Sequence, residues 1–163
     1  MLSVELAEYF TAERLGGFLL VGLALAGFSF ATFLWFTRSA FLAMAWPLVI
    51  LGAFQIVVGL AVALRTPGQV NSLEQGLRTS PVATASAEAR RMSRVNRNFR
   101  IVKVVEVVVI VVGLSLAVLF PHPSTWAAVG LGLLVEAAVL LAFDSFAHQR
   151  ALVYTQWLLS TGT

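Results

Sequence analysis

Cysteine is absent from this chain. Its absence excludes disulfides, thiolate metal sites and cysteine nucleophiles. Charge is scarce: Asp, Glu, Lys and Arg together make up 12%, against about 25% in a soluble domain. The two histidines, His122 and His148, fall at opposite ends of apolar runs. They cannot ligate one metal or haem within a single bundle, and no zinc or facial-triad spacing is present. There is no phosphate loop, no GxGxxG and no Ser/His/Asp set. No cofactor and no metal site is therefore expected.

What the chain has is apolar length. Hydrophobic residues make up 59%, and the mean hydropathy is +0.88. A hydrocarbon core about 30 Å thick needs about 20 apolar residues per helix. Four runs meet that need: Gly16–Thr37, Phe41–Leu64, Val104–Phe120 and Thr125–Ala147. The expected fold is an all-α, integral membrane four-helix bundle forming one domain over residues 1–163. The first run is preceded by Glu5, Glu8 and Glu13 rather than by a basic segment. It reads as a retained helix, not a signal peptide.

Ten of the eleven Lys and Arg residues lie outside the first-to-second and third-to-fourth connections; only Arg38 falls there. Four passes put both termini and the central loop on one side. The positive-inside bias predicts that side to be the cytoplasm, in a bacterial-type inner membrane.

Thr66-Pro67-Gly68 reads as a helix breaker, and Ser72-Leu-Glu-Gln75 as a capping box. Ser80-Pro81 offers a fresh helix start, with proline at the first helical position. Between it and Phe120 there is no proline and a single glycine, Gly113. The expectation is a long third helix, projecting into a basic cytoplasmic helical hairpin over about 66–103. Pro121-His122-Pro123 should end it, with Ser124 capping the fourth helix. Small residues repeat at heptad spacing: Gly17, Ala24 and Ala31 with Gly27 in the first run, and Ala45, Gly52 and Gly59 in the second. Close backbone approach over such stripes drives helix contacts in lipid.

Glu136 lies about eleven residues from either end of its run, near the bilayer midplane. An ionised acid there costs about 2.5 kcal/mol or more, so it should face protein or water. Gln55, between Gly52 and Gly59, is the expected partner. Glu106 sits just inside the third run, one turn after Lys103, with Arg65 at similar depth. These three, Glu136, Gln55 and Glu106, are the candidates for a transport or ion site. Asp144 and His148 are four apart and face the same way, as an inner-face polar pair. Arg90, Arg91, Arg94, Arg97, Arg100 and Lys103 would attract anionic lipid head groups, at about 1 kcal/mol each, or hold a cytoplasmic protein. Pairing with Glu5, Glu8 and Glu13 is a second option. No nucleic-acid module is present.

Three functional expectations follow. The first is a homo-oligomeric channel or transporter for ions, protons or a small solute, with Glu136 as coupling or gating group. The second is a scaffold or accessory subunit using the basic hairpin. The third is a small lipid- or quinone-active membrane enzyme at the inner face.

Overall fold

A computed structural model describes the backbone of residues 4–161 and the side chains of residues 6–160. Every described element is helical. Helix α1 spans Val4–Phe36, α2 Ala45–Thr79, α3 Pro81–Leu119 and α4 Thr125–Thr161, with one 3-10 turn at Leu42–Met44 before α2. All four helices are long and apolar enough to cross a membrane. Helix suits these apolar runs because it satisfies every backbone polar group within the segment, which lipid cannot do.

The helices run 33 to 39 residues, about 50 to 60 Å at 1.5 Å per residue. That exceeds a hydrocarbon core of about 30 Å. The excess lies at one end, which carries the start of α1, the Ser80 turn and the end of α4. The arginines gather there, which makes it the basic end of the molecule.

The central connection is tighter than the sequence suggests. Thr66-Pro67-Gly68 does not break α2, which continues to Thr79 with Pro67 inside it. Ser72 and Gln75 are consequently mid-helix. Pro67 removes one backbone donor, but the turn before it is reinforced: Thr66 Oγ1 donates to the Val62 carbonyl at 2.7 Å. Thr66 is buried, so the break the sequence suggests is overridden by packing. The chain reverses at Ser80 alone, whose N–H bonds the Gly76 carbonyl at 2.8 Å. A Cβ on Gly76 would lie 2.7 Å from Thr84 Oγ1, so glycine lets α3 start against α2. At the opposite end Ser124 Oγ accepts from the Ala127 N–H at 3.2 Å, capping α4.

The helices pair as two hairpins, α1 along α2 and α3 along α4, while α1 and α3 make no close backbone approach. Glycine permits the tightest crossing in each hairpin. A Cβ on Gly17 would stand 2.5 Å from the Gly59 carbonyl oxygen, and one on Gly113 would stand 2.8 Å from that of Gly130. Between hairpins, Gly132 of α4 abuts Pro47 of α2 and the Met44 carbonyl of the 3-10 turn before it. Ala24, Ala31 and Ala45 are buried, Gly27 half-buried, and Gly52 packs against the Phe28 ring. At the basic end the hairpins share an apolar core of Leu6, Tyr9, Phe10, Leu73, Met92, Ala151, Tyr154 and Leu158.

Candidate functional site: buried carboxyls between two hairpins

Glu136 projects from α4 into the seam between hairpins and is only 6% exposed. Gln55 of α2, itself 2% exposed, donates from Nε2 to Glu136 Oε2 at 2.7 Å. Gly27 of α1 leaves room for the acid: a Cβ there would lie 2.9 Å from Glu136 Oε1. Three helices thus enclose one carboxyl, and no described cation pairs with it. The Gln55–Glu136 bond joins the two hairpins, and at the basic end the Arg91 guanidinium of α3 hydrogen-bonds Tyr9 of α1 and joins them again.

The chemistry of the pair suits an acid that changes protonation state. Gln55 offers both a donor and an acceptor. An ionised Glu136 accepts from the amide N–H₂; a neutral Glu136 can donate to the amide oxygen after an amide flip. That oxygen, Gln55 Oε1, is buried and bonded to nothing. The two protonation states therefore call for different arrangements of the pair.

A second carboxyl site lies two turns nearer the basic end. Glu106 of α3 and Asp144 of α4 are within hydrogen-bonding reach of one another, with the Lys103 charge close to both. Two carboxyls hold such a contact only if one carries a proton, because ionised carboxylates accept and do not donate. Asp144 and Glu136 are eight residues apart, about 12 Å along α4, too far for a direct hydrogen bond. His148 is buried and stacks on Phe99, ring centres 5.3 Å apart. No described hydrogen bond joins His148 to Asp144, so the structure places these two on one helix without uniting them.

Acids nearer the helix ends are treated differently. Glu13 accepts from Arg65 at 3.3 Å. Glu88 takes a two-pronged contact from Arg91 at 2.7 and 2.8 Å, with Arg91 also over the Phe10 ring. Tyr154 O–H donates to Glu88 at 3.3 Å and stacks on Tyr9 at 4.3 Å. These tyrosines lie beyond the apolar runs. Burial, then the neighbouring Glu88 and Glu13 charges, pushes both phenols well above their ordinary range, so they remain protonated donors. Arg90, Arg94, Arg97 and Arg100 are exposed, and none forms an ion pair with a described residue. Arg91 is taken up by Glu88 and Arg65 by Glu13. Glu8 is exposed, and the side chain of Glu5 lies outside the described residues.

Between the two carboxyl sites and the basic-end core lies a cavity of about 170 Å³. All four helices line it. Leu20, Val58, Val62 and Phe143 supply apolar wall; Glu13, Arg65, Asp144 and Arg150 supply charge. Val58 is one turn from Gln55, so the cavity reaches to within a turn of the Glu136 pair.

The reading of the sequence missed three of these features. Glu88 is the single acid in the arginine-rich start of α3, which was the available signal. Gly113, the single glycine of α3, marked the α3–α4 crossing. Nothing in the sequence joined Glu106 to Asp144, which are 38 residues apart. No family model, curated protein or solved structure matches the chain.

Proposed function

We propose that this chain is a proton-coupled membrane transporter of a small solute, with Glu136 as its coupling group. One observation carries the reading: a side-chain hydrogen bond between the two hairpins is made by an acid buried at mid-membrane depth with no cation beside it. At the basic end, by contrast, Glu13 and Glu88 are each balanced by an arginine. A purely structural link at that depth could use a neutral amide or hydroxyl, avoiding the cost of placing an ionisable group in lipid. Gain or loss of a proton at Glu136 changes the hydrogen bond on which the hairpins meet. It can thereby bias one hairpin arrangement over another.

In this reading the Glu106–Asp144 pair is a second proton-holding station, and the cavity is where solute resides. The basic end faces the cytoplasm, as the excess of Lys and Arg there favours. Glu136 and Gln55 are enclosed by one chain's own helices, so the conduit runs within the chain. A homo-oligomer would gather several such conduits rather than create one between subunits.

The test is proton-coupled flux in liposomes containing wild-type protein beside Glu136→Gln. Flux that vanishes in the variant, with folding intact, is expected. Equal flux in the two proteins would refute the coupling role.

A second reading rests on the four exposed arginines of α3. They form a surface suited to anionic lipid or an acidic protein partner, as in a scaffold or accessory subunit. Such a protein would tolerate Glu136→Gln and lose its partner when Arg90, Arg94 and Arg97 are neutralised.

A further inference from the structure

We infer that the cavity between the hairpins binds a small zwitterion, carrying an ammonium and a carboxylate on a short apolar body, in the manner of an apolar α-amino acid. The inference names the solute class for the transporter reading above and rests on it only for transport, not for binding.

Three observations carry it. The first is size. A cavity of 170 Å³ has room for about six waters at roughly 30 Å³ each. Bonded atoms pack closer than water, so the ligand has roughly six to nine non-hydrogen atoms. That is too small for a lipid or a quinone with its tail.

The second is charge. Glu13 and Arg65 come from hairpin one, Asp144 and Arg150 from hairpin two, and all four line the cavity. Two acids and two bases suit a ligand with no net charge but both signs. A lone cation or a lone anion would leave one pair of cavity groups opposed to it.

The third is unmet bonding capacity. Glu13 gives one oxygen to Arg65, while its other oxygen, Oε2, is fully buried and accepts from nothing. A buried carboxylate oxygen without a donor is costly, and an ammonium supplies the missing donor. Arg150 reaches across the seam: a Cβ on Gly16 would stand 3.7 Å from its Nη2. It forms no ion pair with a described residue, so its guanidinium fork remains for a carboxylate. The ammonium would therefore meet Glu13 of one hairpin and the carboxylate Arg150 of the other. The apolar body would rest on Leu20, Val58 and Phe143. Such a ligand ties the hairpins together on the same seam that Glu136 and Gln55 close.

The experiment is equilibrium binding to the purified full chain in nanodiscs, using three probes of one body. These are leucine, 3-methylbutylamine, which lacks the carboxylate, and 4-methylpentanoate, which lacks the ammonium. Leucine is expected to bind about 10- to 100-fold tighter than either, the worth of one charged hydrogen-bonded contact. Arg150→Gln should remove that advantage over the amine while leaving amine binding unchanged. Arg150 is exposed, so this variant should fold. Val58→Phe, which fills the cavity, should abolish binding of all three. No saturable binding of leucine, or equal binding of the three probes, overturns the inference. Leucine bound as described but not carried across liposomes would leave the site standing and refute transport instead.

Discussion

Cutting the Gln55–Glu136 bond from each side should cost unequal amounts, and the inequality is measurable. Changing Gln55 to Leu strands a buried acid without its donor, at about 2 kcal/mol. Changing Glu136 to Leu strands a neutral amide, at about 1–2 kcal/mol. Changing both removes every polar group from the spot and should cost about as much as the Gln55 change alone. The interaction energy from the four proteins should then be about 1–2 kcal/mol. Interhelical hydrogen bonds in membranes average only about 0.6 kcal/mol and reach about 1.7. The upper part of that range is expected because the acceptor is a carboxylate at 2.7 Å in a fully enclosed site. The assay is reversible unfolding in mixed micelles, with denaturing detergent as titrant. Glu136→Gln serves as control, since two facing amides can still bond; it should shift stability by less than about 1 kcal/mol. Additive single changes, with an interaction energy near zero, would refute the claim that this bond holds the hairpins together.

Gly113→Leu drives a side chain into the Gly130 backbone and should destabilise by about 1–3 kcal/mol. Gly22→Ala has nothing within 4 Å and should be neutral or stabilising by up to about 1 kcal/mol; thermal unfolding in detergent separates the two. Neutralising Arg90, Arg94 and Arg97 together should weaken binding to anionic vesicles by about 1 kcal/mol per residue without altering stability. Unchanged vesicle binding would count against a lipid role for that face. Arg91→Gln should do the reverse, lowering stability by about 2 kcal/mol because it leaves Glu88 buried without its fork. Tyr154→Phe should cost about 1 kcal/mol by the same unfolding measurement, since it removes one bond to Glu88 and keeps the stack on Tyr9.

Four helices could be anticipated because bilayer thickness sets run length and the polar residues are too few to confuse it. The Glu136–Gln55 proximity was accessible because each is the conspicuous polar residue in its run, flanked by small residues that let backbones approach. The breaker at Thr66-Pro67-Gly68 misled because local preference counts proline and glycine as stops, whereas a helix packed along a neighbour tolerates both. The Glu106–Asp144 contact could not be read from a single sequence. Each acid had a plausible local partner, Lys103 for one and His148 for the other. Which face of α3 meets α4 is fixed by the Gly113–Gly130 crossing, a tertiary fact. Arg91 looked like its neighbours in the basic stretch, and only the burial of Glu88 beneath it sets it apart.

The division of labour between the hairpins leads to a last prediction. Within each hairpin the crossings are glycine against backbone, which leaves little room for sliding. Between hairpins the contacts are few: an aromatic core at the basic end with Arg91 against Tyr9 and Phe10, the cavity, the Gln55–Glu136 bond, and Gly132 against Pro47. Movement in a molecule built this way runs along the seam and not inside either pair. The bond at mid-depth is a link on that seam made by a carboxyl, so protonation should change the hairpin-to-hairpin distance. The absence of native cysteine makes that measurable with a single introduced pair. Spin labels at Gly22 of α1 and Val118 of α3, both exposed, report across the seam. The distance distribution should differ between acidic and alkaline buffer in the wild-type background and be insensitive to pH in Glu136→Gln. Identical distributions in the wild-type background at both extremes would mean that the seam is rigid and that Glu136 is a structural link after all.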